Sequence, residues 1–133
     1  MAALYQSRDL ADSAVEKLRV YAQPQRLMIL SCLLHGERTV SDIDAATAIG
    51  QPALSQQLAE LRRAELVRTR RESKQIFYSL ADETTALCVR AMEAILGGDG
   101  DPAVRLGEIL EDSAPDSARL NRPSGAASFA RIG

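Results

Sequence analysis

From Arg8 to Ala22 apolar side chains return at Leu10, Ala14, Leu18 and Tyr21, with Ala11 and Val15 beside them and charges opposite. That spacing predicts an amphipathic first helix. Gln23-Pro24-Gln25 breaks the run, and Pro24 suits the first position of a second helix. QRLMILSCLLH is apolar almost all round, which predicts a central, buried helix closed by Gly36. Thr39-Val40 reads as a short extended piece. Ser41 is the expected N-cap of a third helix, SDIDAATAI, with Asp42 and Asp44 in its first turn and Gly50 as its stop. Gln51-Pro52 opens a fourth helix, with Pro52 in the first turn. There Leu54, Leu58 and Leu61 fall on one face, and Gln51, Ser55, Gln56, Arg62 and Arg63 on others.

The period then changes. LVRTRR and QIFYSL are rich in strand formers and bracket a polar turn at Glu72-Ser73-Lys74, which predicts a hairpin. Ala81-Asp82 starts a last long helix, DETTALCVRAMEAIL, ended by Gly97-Gly98. Its apolar stripe (Leu87, Val89, Ala91, Met92, Ile95, Leu96) is wider than one-sided packing needs. Two readings stand: a seam against a second copy, or an ordinary core helix. DPAVRLGEILEDSA predicts a short amphipathic helix, and residues 115–133, rich in Pro, Gly, Ser and Ala, read as a disordered tail.

Two short helices, a tight turn and a basic hairpin, in the order Val40 to Leu80, predict a winged helix-turn-helix. The expected fold is mainly α with a small β-hairpin. Residues 1–100 would form the DNA-binding and dimerisation domain, and residues 101–133 an acidic segment and tail. The net charge of −2 argues at first against a nucleic-acid partner. The local balance reverses that. Leu61 to Gln75 holds six basic and two acidic residues, a net +4, whereas Ala91 to Ser117 holds seven acidic and one basic, a net −6. Phosphate contact depends on the field within about 10 Å, so the local patch decides.

A helix in the major groove needs short polar side chains toward bases and cations toward phosphates. Gln51, Ser55, Gln56 and Gln57 lie where such helices touch base edges, and Arg62 and Arg63 suit phosphates. Arg68 and Arg70 share one strand face and, with Arg71 and Lys74, make a basic wing. The plainer reading of each is a solvated polar surface; their order along the chain favours double-stranded DNA. The rival is a winged-helix interaction module without specific DNA binding. One histidine, no phosphate-cradling glycine loop and no nucleophile elbow argue against an enzyme. No cofactor is expected. No apolar run approaches the roughly 18 residues of a membrane span, and the N-terminus lacks a signal-peptide core, so a cytoplasmic location is expected.

PQRLMILSCLLHGERTVSDI followed by GQPALSQQLAELRRAELVRTRRESKQIFYSL closely resembles the arsenic-repressor (ArsR/SmtB) family of winged-helix transcriptional repressors. The similarity covers about residues 10–96 and is greatest toward a sulfide- and redox-responsive branch. The resemblance implies a homodimer formed through the first and last helices. It also implies binding to an inverted-repeat promoter site as a repressor, and release by a small effector.

The sensing residues depart from the family. Its metal sensors carry Cys-x-Cys, or Asp-x-His with a later His motif; here the one histidine is His35, and no metal site is expected. Its dithiol sensors pair a cysteine of the second helix with one ending the last. Ser31 and Gly97 occupy those places, and Cys88 lies nine residues before Gly97, about 13 Å along a helix. That exceeds disulfide reach, so the family bridge does not transfer. Cys32 and Cys88 remain as effector or redox candidates, against the plainer reading of each as a small packed hydrophobe. His35, three residues after Cys32, could share its face or simply favour the helix C-terminus.

Overall fold

In the computed structural model, which describes residues 2–113, the expected helices and hairpin appear in the expected order. Helix α1 (Arg8–Tyr21) starts at Ser7, whose hydroxyl accepts the Leu10 N–H at 3.1 Å. Only its last residue, Tyr21, is buried; Leu10, Val15 and Leu18 stay exposed. Helix α2 (Pro24–Leu33) starts at Gln23, whose side-chain oxygen accepts the Arg26 N–H at 2.8 Å, with Pro24 at its first position. Burial around α2 is not uniform, contrary to its composition. Ile29, Leu30 and Leu33 are buried, while Met28 is 45% exposed. The helix packs chiefly against two neighbours.

These neighbours are α3 (Val40–Thr47) and α4 (Ala53–Arg63). The cap of α3 is Thr39, not Ser41. The Thr39 hydroxyl accepts the Asp42 N–H and the Asp42 carboxylate accepts the Thr39 N–H, each at 3.2 Å. This reciprocal box forms because Thr39 is still extended, as the last residue of strand β1 (Arg38–Thr39). After α3, Ala48 is left-handed and Gly50 has φ +82°, with its N–H donated to the Asp44 carboxylate at 2.9 Å. These two residues make the tight turn that sets α4 across α3.

Gln51 is not in α4. It precedes the capping residue Pro52, and its side-chain oxygen accepts the Ser55 N–H at 3.1 Å. Proline has no side-chain acceptor, so the residue before it supplies one. Along α4, Leu54, Leu58 and Leu61 are fully buried, as their spacing predicted.

Strands β2 (Val67–Glu72) and β3 (Gln75–Leu80) form the hairpin, with Val67 opposite Leu80 and Glu72 opposite Gln75. The sheet is three-stranded rather than two: β1 adds to the free edge of β3, pairing Arg38 with Tyr78 and Thr39 with Phe77. This short strand ties the wing to the start of α3. Helix α5 (Glu83–Leu96) begins at Asp82, whose carboxylate accepts both the N–H and the hydroxyl of Thr85 at 2.9 Å.

The chain divides into two compact units, Met1–Val89 and Arg90 onward, and α5 runs through the division. In the second unit Arg105 of α6 (Pro102–Ser113) donates to the carbonyls of Glu93 at 3.0 Å and Asp99 at 3.4 Å. A cation thereby satisfies the carbonyl end of α5. Gly98 leaves room for it, since a Cβ there would lie 2.8 Å from the guanidinium. The expected tail, residues 115–133, lies outside the described residues. Among the described residues no helix is long and apolar enough to cross a membrane.

Candidate nucleic-acid interface

Because Leu54, Leu58 and Leu61 face the core, the opposite side of α4 must face solvent. Ser55, Gln56, Ala59, Arg62 and Arg63 are exposed there. Gln57 does not join this ridge. It is half-buried, and its side-chain oxygen accepts from Arg26 Nε at 2.8 Å, linking α4 to α2. The same guanidinium reaches the Val20 carbonyl at 3.4 Å. Gln51 stands at the start of the ridge with its oxygen engaged as a cap.

Between the ridge and the sheet lies an open depression of about 470 Å³ lined by Ser55, Ala59, Arg62, Arg63 and Tyr78. Tyr78 escaped the sequence reading. Strand alternation could have found it, since it sits opposite Thr69 on the face away from Phe77.

The wing is basic, but its cations are not equivalent. Arg70 donates from Nε and Nη2 to the Glu37 carboxylate at 2.7 and 2.9 Å, lies 3.5 Å from Glu72, and covers the Phe77 ring at 4.7 Å. The Arg70 hydrogen bonds hold the Glu37 carboxyl below the usual glutamate range, and Glu37 in turn raises the guanidinium. Both groups are exposed, so the pair adds little stability. Its main effect is to fix Arg70 in one place and cancel its charge. Arg63 is paired with Glu60 one turn back. Arg68 faces Asp82, whose carboxyl is lowered first by the Thr85 N–H and hydroxyl and then by this cation. Arg62, Arg71 and Lys74 are exposed and have no ion pair among the described residues. The basic run of the sequence thus resolves into two ion-paired arginines, Arg63 and Arg70, an exposed Arg68 in the field of Asp82, and three open cations.

The effector candidates lie elsewhere. Cys32 on α2 and Cys88 on α5 are free and half-buried. His35 is exposed beyond the end of α2. Among the described residues no three His, Cys, Asp or Glu side chains gather as a metal site. Cys88 does have a companion that spacing could not reveal. The Tyr21 phenol, only 8% exposed, lies against the Cys88 thiol and the Thr85 hydroxyl.

Burial first, then Cys88, pushes the Tyr21 phenol up to about 12 from its ordinary 10.0. The fold therefore holds Tyr21 neutral. Its contribution is intact below pH 10 and is lost as pH rises toward about 12. In urea unfolding across that window, the parent chain should lose on the order of 2 kcal/mol more than Tyr21→Phe. Parallel stability curves for the two proteins would remove this assignment.

Residues 23–69, spanning α2 to the first half of the hairpin, match the model of "Bacterial regulatory protein, arsR family". A biofilm growth-associated repressor of Agrobacterium fabrum is 49% identical over 78 residues, 59% of this chain and 67% of that protein. The crystal structure of the transcriptional repressor BigR from Xylella fastidiosa superposes with TM-score 0.64 and 37% identity, covering 71% of this chain and 93% of that one. A homodimeric winged helix-turn-helix DNA-binding domain from Mycobacterium bovis, solved in solution, superposes with TM-score 0.58 and 28% identity, covering 71% and 86%. Sequence, fold and these relatives agree: the chain belongs to the arsR family of bacterial regulatory proteins.

Proposed function

We propose that this chain is a transcriptional repressor. It binds promoter duplex as a homodimer, with α4 in the major groove and the wing along the sugar–phosphate backbone, and an effector releases it. One observation carries the reading: α4 presents Ser55 and Gln56 beside the open cation Arg62, while Arg71 and Lys74 stand open on the adjoining hairpin. The first pair suits base edges, the cations suit phosphates. The exposed row Leu10, Val15 and Leu18 on α1 supports burial against a second copy, with α5 as the other dimer helix. A two-fold dimer presents two α4 helices and so calls for an inverted-repeat site.

The test is binding of the whole chain to its own upstream duplex over a salt series. Affinity should fall steeply with salt, by about 0.9 in logarithmic slope per neutralised phosphate. Arg71→Ala should flatten that slope by about one such contact in each subunit. Glu37→Gln should do the reverse, because it frees Arg70 for a phosphate. Absence of binding to any duplex at low salt would return the fold to the class of interaction modules.

A further inference from the structure

Gln56 and Gln57 are consecutive and share one chemistry, yet only Gln56 is exposed. Helical rotation carries Gln57 to the flank of α4 that meets α2, and a hydrogen bond keeps it there. Its partner is Arg26, half-buried in the first turn of α2. Arg26 Nε donates to the Gln57 side-chain oxygen at 2.8 Å, and Nη1 donates to the Val20 carbonyl of α1 at 3.4 Å. We propose that Arg26 is a specificity-determining positioning residue. By holding the Gln57 amide against α2 it keeps that amide off the bases, and leaves Gln56 as the one glutamine of α4 that reads the site. The inference rests on the reading of α4 as the DNA-reading helix and deepens it.

The chemistry of the bond explains its effect. An amide recognises adenine with both its polar atoms, the oxygen accepting from N6 and the nitrogen donating to N7. With its oxygen committed to a guanidinium, Gln57 is withheld from that pairing. The bond is charge-assisted, and such bonds are about twice as strong as neutral ones. Its donor is also fixed beforehand. The Arg26 backbone N–H donates to the Gln23 side chain at 2.8 Å, and the far end of its guanidinium rests on the carbonyl end of α1. Among the described residues no carboxylate pairs with Arg26, so no anion draws it away from the amide.

The direction of helical side chains shows where a released Gln57 goes. They lean toward the N-terminus of their helix and cover the preceding turn. In that turn Ala53 offers only a methyl group, and Gln51 and Pro52 beside it are exposed. The first turn of a reading helix is the part that meets base edges. A freed Gln57 amide therefore enters the same groove as Gln56, rotated from it by about 100°. There it adds an adenine contact at a base pair that the parent chain leaves unread.

The test is affinity for the upstream duplex and for a series of its single-base-pair variants. Arg26→Met keeps a long apolar stem and removes the donors. It should raise the preference for adenine by about fivefold or more at one base pair of each half-site. Arg26→Lys keeps a cationic donor for Gln57 and should hold the parent's pattern. Adding Gln57→Ala to Arg26→Met should restore that pattern, a rescue that a role in packing alone does not produce. Urea unfolding establishes that each variant is folded.

If Arg26→Met does not fold, the parent chain still decides. The side-chain amide NMR signals of Gln56 and Gln57, assigned by their loss in Gln56→Ala and Gln57→Ala, are followed as upstream duplex is added. The Gln56 pair should shift and the Gln57 pair should stay. An unchanged base preference in folded Arg26→Met would overturn the role of Arg26. So would an altered preference that survives Gln57→Ala, or a Gln57 amide that shifts as far as that of Gln56 in the parent. Failure of the parent chain to bind any duplex would instead overturn the repressor reading itself.

Discussion

Leu58→Ala is expected to destabilise the chain by about 2–5 kcal/mol. Leu58 is 2% exposed and sits between Leu54 and Leu61 on the inner face of α4, both fully buried. That face packs on α2, which supplies the equally buried Ile29 and Leu30. Removing the branched end of the side chain leaves a void between two helices that are held apart by their other contacts and can close only in part. A domain of this size has roughly 5–15 kcal/mol of stability in all, so the loss is a large fraction of it. Urea unfolding measures it directly. Arg63→Ala, on the opposite face of the same helix, is the control and should change stability by less than about 0.5 kcal/mol. Duplex binding by Leu58→Ala should fall with the folded fraction, because the exposed ridge is aligned only while the inner face is packed. A cost under about 1 kcal/mol would mean that α4 is not anchored as described.

The legible part of this fold was the part fixed by periodicity. Three leucines at positions 54, 58 and 61 define the inner face of α4 without help from any neighbour. The alternation of β2 and β3 around Ser73-Lys74 does the same for the hairpin, and Asp82 and Gly97 bracket α5. Caps were less legible where two candidates stood close together. Thr39 displaced Ser41 because pairing of Thr39 with Phe77 holds it extended, and only an extended residue can cap the following turn. That pairing joins residues far apart in the chain, and so does the third strand it creates. Composition misjudged α2 for a related reason: it counts apolar residues, whereas burial depends on which sides have a neighbour.

The candidate interface was legible as a list of residue types and not as a set of available groups. Gln57 looks like its neighbour Gln56, yet one turns to Arg26 and the other to solvent, because a step of one residue rotates the side chain by about 100°. In the sequence Arg70 is one more cation of the basic wing. Its carboxylate partner, Glu37, is 33 residues earlier and reaches it only through the sheet. Tyr78 and the Tyr21–Thr85–Cys88 cluster were missed because their partners come from separate elements. Local pattern carries propensity and face; it carries no information on which distant side chain arrives opposite.

That difference between residue type and available group makes Gln56 and Arg62 the decisive pair. Both are exposed on α4, and neither is committed to a partner within the chain among the described residues. An uncommitted amide of this length can bond an adenine edge through both its atoms, a contact that discriminates by about 1–3 kcal/mol. Gln56→Ala should therefore weaken binding to the upstream duplex by roughly five- to 150-fold, and should bind a scrambled duplex as before. Arg62 lies nearly two turns further on, beside Ser55 and Tyr78 at the open depression. There a phosphate, which carries no sequence, is the natural partner. Arg62→Ala should weaken binding to both duplexes alike and flatten the logarithmic salt slope by about 0.9 in each subunit. The two variants thus separate along different axes, one in sequence preference and one in salt dependence. A Gln57→Ala variant adds the inverse case: it should cost stability by loosening Arg26 while leaving the preference between duplexes unchanged. If Gln57→Ala relaxed the preference and Gln56→Ala did not, α4 would present a different face to DNA from the one its buried leucines require.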